Sequence, residues 1–523
     1  MRRFVSEFRI GLVLAAGLAA TTGFAGPLSL TILHTNDLHA HVEPVKIKGK
    51  EYGGYARLAS AIIEQNRTAE NPILLDAGDV FQGTLYFNVY EGLADLSFMN
   101  VIGYRAMAVG NHEFDRGPQV LANFAKMASF PLLSANLDVS QEPLLKDLIK
   151  AFVITEVAGE KVGIVGCTTP DLPTISSMGP NVRMRDLVKS LQAAADELKK
   201  QGVNKIIAVS HCSYGLDMDV ASKVRGIDVI VGGHSHTLLG DIHIEGVDKP
   251  RNPYPTVVKD PDGNNVLVVQ SWEWGKVLGK IKVSFDDAGK VTEWSDAGPI
   301  VIDDTLPENP FVAQIVAAFQ KPIQALKIQP VGELEDNLTQ HYGDSDSTMG
   351  NVISDAMLEA TKGQGAVAAF MNAGGIRRGL EPGRITYGQV IEVQPFGNTM
   401  VVMELTGTEL KAAIEHGAAN FPGFSGAALY PSRGTSYEVD TTKPAGSRIT
   451  NLVIGGKPWS ESEKYLVCFN SFTSTGGDAH EVLKNATGKR VDTGFIDSDA
   501  LIEYFKANQP VKMKNENRIV LKK

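Results

Sequence analysis

Five short stretches in the first half of the chain combine aspartate, asparagine and histidine in a way that suits metal-assisted hydrolysis. They are Asn36-Asp37-Leu38-His39, Asp76-Ala77-Gly78-Asp79, Gly110-Asn111-His112-Glu113-Phe114-Asp115, the single His211, and Gly232-Gly233-His234-Ser235-His236. Carboxylate, amide and imidazole together suit divalent ions of intermediate hardness, such as Mn²⁺, Zn²⁺ or iron. Glycines at 78, 110, 232 and 233 are expected to let the backbone turn sharply and bring these side chains close to an ion. His34, His41, His243, His341, His416 and His480 lack such surroundings and read as ordinary core or surface residues.

The elements that must position these residues are short apolar runs. Leu28–Leu33, Ile73–Leu75, Ala106–Val109, Pro131–Ser134, Val162–Val165, Ile206–Val209 and Val229–Val231 read as buried strands. Between them, residues 57–65, 118–128 and 186–200 carry apolar positions at helical spacing. That alternation predicts an α/β fold with layered strands, and each chemically promising stretch follows a strand. Loops at the carboxyl ends of such strands share one rim, where ligands bind. Beyond residue 250, Val266–Val269 and Val277–Val283 read as antiparallel strands, with Asp286-Asp287-Ala288-Gly289 as a turn. Pro307, Pro310, Pro322 and Pro330 flank a helical stretch at Val312–Leu326, which reads as a connector over 303–330. A second mixed domain is expected over 331–523, and the first over 26–302.

The five stretches resemble the pattern of calcineurin-like metallophosphoesterases: Asp-x-His, Gly-Asp, Gly-Asn-His, His and Gly-His-x-His, all in order. The resemblance implies an α/β/β/α sandwich holding two divalent ions. Asp37, His39, Asp79 and His236 would hold one; Asp79, Asn111, His211 and His234 would hold the other, with Asp79 bridging. His112 would then face the phosphoryl group and donate to the leaving oxygen, oriented by Asp115. Two cations ~4 Å apart clamp both oxygens of an in-line displacement and bring the pKa of a bound water down towards ~7.

Within that superfamily, Gly78-Asp79-Val80-Phe81-Gln82-Gly83-Thr84 looks like the 5′-nucleotidase branch. So do Met349-Gly350-Asn351, Asn372-Ala373-Gly374-Gly375-Ile376-Arg377, Gln394-Pro395-Phe396-Gly397-Asn398, and Phe472 with Thr475-Gly476-Gly477-Asp478. The likeness covers nearly the whole chain after residue 25 and is nearest to the periplasmic 5′-nucleotidase/UDP-sugar hydrolases. It implies a mixed α/β substrate-binding domain. There Phe396 and Phe472 stack on a base, Asp478 binds the nucleoside, and Asn372, Gly375 and Arg377 line the cleft, with Arg377 near the phosphate. Stacking on aromatics is worth ~1–3 kcal/mol per base and tolerates any base. One departure stands out: the family places one or two arginines just before Met-Gly, whereas residues 339–348 hold neither Arg nor Lys but two aspartates. Weaker binding of di- and triphosphates is expected, with Arg378 and Arg384 as candidate substitutes.

The ends of the chain bear on location. Arg2, Arg3 and Arg9 precede an apolar run, Ile10 to Ala20, and the small residues Gly23 and Ala25 suit cleavage. The run is shorter than the ~20 residues a spanning helix needs, so a cleaved leader and a periplasmic or secreted protein without a membrane anchor are expected. Residues 1–25 carry three arginines and one glutamate, so cleavage shifts the net charge from −10 to −12. Such an acidic surface repels polymeric nucleic acid, and an anionic substrate must be captured by local positive charge. Cys167, Cys212 and Cys468 imply no disulfide framework; Cys212, beside His211, is open to a metal or redox role.

The expected activity is release of phosphate from nucleoside 5′-monophosphates. The alternatives are a 2′,3′-cyclic-nucleotide phosphodiesterase with 3′-nucleotidase activity, a UDP-sugar hydrolase, a thiosulfohydrolase (which the Phe396/Phe472 pair counts against), and a nucleotide-binding protein without catalysis. Oligomeric state is not legible.

Overall fold

The computed structural model describes residues 26–522 apart from 248, 296–297 and 341–345. The expected leader at 1–25 and the middle of the arginine-free stretch lie outside the described residues.

Two sheets form the centre of the first half. One runs in the order Val291–Ser295, Val277–Phe285, Leu28–Thr35, Pro72–Asp76, Ala106–Ala108, Leu132–Leu133, Ile149–Lys150. The other runs Thr256–Lys259, Asn265–Val269, Val229–Gly232, Ile206–His211, Glu160–Thr168, Phe152–Val157. Side chains alternate across a strand, and the strand Leu28–Thr35 uses both faces. Leu30 and Ile32 share one core with Val165, Ile207 and Val231 of the second sheet. Leu33, with Leu74, Met107 and Leu132 on neighbouring strands, packs instead on the helices Tyr55–Thr68, Leu93–Ile102 and Gly117–Met127. Helices Leu187–Lys200 and Tyr214–Lys223 contribute Leu191, Leu198 and Val220 to the core of the second sheet. The result is the α/β/β/α sandwich.

Local signals explain the helices. The Leu187–Lys200 helix starts at Asp186, whose side chain accepts from Lys189 N–H, and ends in Lys199 and Lys200 against the helix dipole. Its buried residues, Leu187, Leu191, Ala194, Ala195 and Leu198, recur at helical spacing on one face.

The parallel register brings the carboxyl ends level: Thr35 lies beside Asp76, Thr168 beside His211, and Ser210 beside Gly232. The expectation for Val266–Val269 needs correction. This strand is antiparallel to Thr256–Lys259 on one side but parallel to Val229–Gly232 on the other, so it extends the parallel block. Val277–Phe285 is antiparallel to Leu28–Thr35.

The 303–330 stretch holds the helix Pro310–Lys327, capped by Asn309, whose side chain accepts from Phe311 and Val312 N–H. It packs on Tyr55–Thr68 of the first half and on Tyr387–Val393 of the second. The second half has its own core around a five-stranded sheet, ordered Leu429–Pro431, Ala368–Asn372, Lys464–Asn470, Thr399–Thr406, Arg490–Ile496, and a four-stranded one. The helix Thr348–Thr361, capped by Ser347, is buried along nearly its whole length in that core.

Candidate active site

The backbone at the rim is strained where the candidate ligand side chains sit. Asp37, His39, Asp79, His234 and His236 all have positive φ, between 48° and 72°. Each such non-glycine residue costs of order 1–3 kcal/mol and persists only where its surroundings hold it. Here they do: Asp37 N–H donates to Gly78 O at 2.9 Å, and His39 N–H to Asp79 O at 3.0 Å. His234 N–H reaches Asp37 Oδ2 at 3.0 Å. The expected part played by the glycines changes accordingly. Gly78 alone of the four has a positive φ, +90°. Gly110, Gly232 and Gly233 are small because neighbours press on them; a Cβ at Gly110 would lie 2.2 Å from Asp79 Oδ1.

Ligand-type atoms converge in three overlapping groups, each within 4.8 Å: Asp37, His39 and His236; His39, Asp79 and His112; Asp79, His211 and His234. His39 Nδ1 faces Phe81 O at 2.9 Å, His211 Nδ1 faces Ala77 O at 2.7 Å, and His236 Nδ1 faces the Glu273 carboxylate. With the Nδ1 protons so engaged, each Nε2 is left as a lone pair pointing into the rim. His39 Nε2 and His236 Nε2 then lie 3.1 Å apart, with Asp37 Oδ1 3.2 Å from the latter. His211 Nε2 faces Asp79 Oδ2 at 3.0 Å and Asn111 Oδ1 at 3.2 Å. Acceptors packed against acceptors call for a cation between them. The surrounding carboxylates pull positive charge to the same place: burial opposes charge on His211, yet Asp79 drives its pKa up to about 10, and His236, against the same burial, rises to about 9 beside Asp37 and Glu273, so that without an ion a proton would sit where the cation belongs. Burial takes His234 down to about 3, leaving it a neutral ligand. The donor set therefore fits divalent ions.

His112 stands apart. Its Nδ1 bonds the Asp115 carboxylate, and its Nε2 lies 3.9 Å from Asp79 Oδ2. Burial works against its charge, but Asp115 and Asp79 outweigh burial and raise its pKa above the usual imidazole value. The second half meets it here: the Phe396 ring stacks on the His112 ring at 5.7 Å and 21°, and the Arg377 guanidinium lies 5.8 Å from the same phenyl ring. Asn372 Nδ2 donates to Asp478 Oδ2 at 2.8 Å, and Asn470 Nδ2 to Asn372 Oδ1 at 2.8 Å. Gly375 has no room for a side chain, since a Cβ would lie 2.8 Å from Asn372 Oδ1. Phe472 lies over Gly477, where a Cβ would come within 2.5 Å of its ring. Arg378 is paired with Glu392, and Arg384 is exposed.

A family model described as calcineurin-like phosphoesterase matches residues 30–238, and one described as 5′-nucleotidase, C-terminal domain, matches residues 330–485. The 5′-nucleotidase of Homo sapiens is 34% identical over 540 residues, covering 97% of this chain and 93% of that protein. The chain belongs to the 5′-nucleotidase family. As such it is a metallophosphoesterase, a phosphoric monoester hydrolase. A solved 5′-nucleotidase precursor from Thermus thermophilus superposes with a TM-score of 0.90 at 44% identity, over 94% of this chain and 99% of that one. The trifunctional nucleotide phosphoesterase protein YfkN of Bacillus subtilis is 35% identical over 94% of this chain, which spans 35% of YfkN.

Several residues of this 5′-nucleotidase site escape a sequence reading. Glu113, buried, accepts from Gly110, Asp79, Val80 and Phe81 N–H at 2.6–3.2 Å, tying two ligand loops together. Glu273 backs His236, and Ser176 Oγ donates to Asp115 Oδ1 at 2.7 Å. His416, read from sequence as ordinary, holds Asp478 O through Nε2 at 2.8 Å, with the His480 ring 4.7 Å away. Cys212 faces Cys167 with 3.7 Å between sulfurs, and it belongs to none of the three ligand groups.

Proposed function

We propose that this 5′-nucleotidase family member releases phosphate from nucleoside 5′-monophosphates. The observation that carries the reading is the junction of the halves: Phe396 and Arg377 of the second meet His112 of the first at the edge of the histidine–aspartate rim. An aromatic face and a guanidinium there suit a base and a phosphate on one small molecule. Asp37, His39, Asp79 and His236 would hold one divalent ion and Asp79, Asn111, His211 and His234 a second, Mn²⁺ or Zn²⁺ in kind. When bound, such ions supply Lewis acidity to the phosphoryl group and to water.

The chain's own groups do the rest. His112, protonated and oriented through Nδ1–H on Asp115, presents Nε2–H to the phosphoryl group and the leaving oxygen. Arg377 pairs with the phosphate. Phe396 and Phe472 stack on the base, and Asp478, set by Asn372, accepts from the nucleoside. The test is to strip the protein with chelator, restore Mn²⁺, and measure phosphate release from a 5′-monophosphate, a 3′-monophosphate and a 2′,3′-cyclic nucleotide. Metal-dependent turnover mainly of the 5′-monophosphate is expected.

A 2′,3′-cyclic or 3′ activity is the second reading. It is favoured by the absence of Arg and Lys from 339–348 and by the likeness to a protein named for three nucleotide phosphoesterase activities. Preference for the cyclic or 3′ substrate in the same assay selects it. We assign the protein to the periplasm or medium on the leader-like residues 1–25. Among the described residues no helix is long and apolar enough to cross a membrane. Edman sequencing of the exported protein is expected to begin near Gly26.

A further inference from the structure

Behind His236 lies an arrangement that phosphoryl transfer does not itself require. The segment Ser271 to Lys276 places Lys276 Nζ 3.5 Å from the centre of the Trp272 ring and 4.2 Å from that of Trp274. The lysine side chain is 2% exposed, and its ammonium donates to Glu273 Oε1 at 2.6 Å. The other oxygen of Glu273 accepts from His236 Nδ1. Both tryptophans have positive φ, 62° and 58°, so the backbone is strained to build the cage. The same segment grips the other side of the rim: Trp274 N–H donates to Asp37 O at 2.7 Å, and Asn36 Nδ2 donates to Trp272 O at 2.5 Å. His41 stacks on the outer face of Trp274 at 4.1 Å and 7°.

A buried ammonium is costly unless it is paired. The carboxylate it pairs with here is the one that holds a ligand-type imidazole. We infer that Glu273 and Lys276 are positioning residues that set the divalent-ion affinity of the group Asp37, His39 and His236, an inference that rests on the metal reading of the rim. A carboxylate on Nδ1–H fixes the tautomer and strengthens Nε2 as a donor. Lys276, anchored between two indole faces, holds Oε1 so that Oε2 stays on the imidazole and does not swing into the rim as a competing ligand. Partners of this kind carry a 10–100-fold share of metal affinity in other sites.

The experiment titrates Mn²⁺ into the full, metal-stripped chain against a chromophoric chelator, for native protein, Glu273→Gln, Lys276→Met and the double variant. The amide of Glu273→Gln keeps an acceptor for His236 but loses the charge, and Mn²⁺ binding is expected to weaken ~10–100-fold. The double variant leaves no unpaired buried charge. Its stripped form is expected to melt close to the native temperature while its Mn²⁺ affinity stays low, a split that a purely structural pair would not produce. Native affinity in the double variant or in Glu273→Gln overturns the inference and leaves the metal reading intact. A native chain that takes up no Mn²⁺ overturns the metal reading, and this inference with it.

Discussion

The rim of the first half and the cleft of the second are built in opposite ways. At the rim, Asp37, His39, Asp79, Asn111 and His211 are buried, and strained backbone is tied loop to loop through main-chain bonds and through Glu113. In the cleft, Arg377, Phe396, Phe472 and Asp478 are half-buried and carried on short loops and single turns of helix, and of the four only Asp478 has a positive φ, 53°. The contrast suits the chemistry proposed for each. Ligand atoms have to hold their places against like-charged neighbours, which takes a frame that costs stability. A stacking surface needs only a flat face and an open approach.

The sharpest way to break this comparison lies where the two regions touch. His112→Ala is expected to lower kcat by ~10²–10⁴, as loss of a positioned donor does, with metal content by elemental analysis unchanged. Parallel loss of metal would make His112 part of the frame. The frame itself is tested by Glu113→Gln. The variant turns an NH₂ towards backbone N–H groups that now have a carboxylate oxygen, and about 2–4 kcal/mol of stability should go. The measurement is denaturant unfolding of the stripped chain. A native midpoint would mean that the strained ligands are held by something else.

For the cleft, Phe472→Ala should act on binding and leave the frame alone. A lost stack of ~1–3 kcal/mol raises KM for a nucleotide about 5–150-fold. Turnover of a phosphoester without a base, such as p-nitrophenyl phosphate, should fall far less. Equal losses on both substrates would move Phe472 from recognition into structure.

What was legible in the sequence follows the same divide. The strand ends could be found because histidine and aspartate there have few structural uses, and the alternation of strands and helices put them on one rim. Glu113 stood inside a stretch already singled out, yet its role was hidden, because its bonds run to main-chain groups of residues 79–81, far off in sequence. Glu273 follows His236 by 37 residues, and its own segment, Ser271 to Lys276, has no His or Cys, so spacing offered no signal. The glycine argument held for Gly78 alone: the rim otherwise places ligand-type aspartates and histidines at positive φ, and only the packed structure shows what holds them there. His416 was passed over because a histidine that bonds a carbonyl of Asp478 looks, in sequence, like any other surface imidazole.

The smallest expected effect belongs to Ser176, which sits where frame and cleft adjoin. Its hydroxyl donates to Asp115 Oδ1, whose other oxygen holds His112, and the turn before it, Leu172–Ile175, packs on Gly477–Ala479, the turn that carries Asp478. The hydrogen bond reaches His112 only through Asp115, so the share of its worth that falls on the rate is taken as ~0.5–1.5 kcal/mol, or about 2–13-fold. Ser176→Ala should therefore lower kcat within that range and leave KM alone, and Ser176→Thr, which keeps a hydroxyl, should restore most of it. A rise in KM with kcat unchanged would place Ser176 with the cleft, and the boundary between the two regions would then run through Asp115 itself.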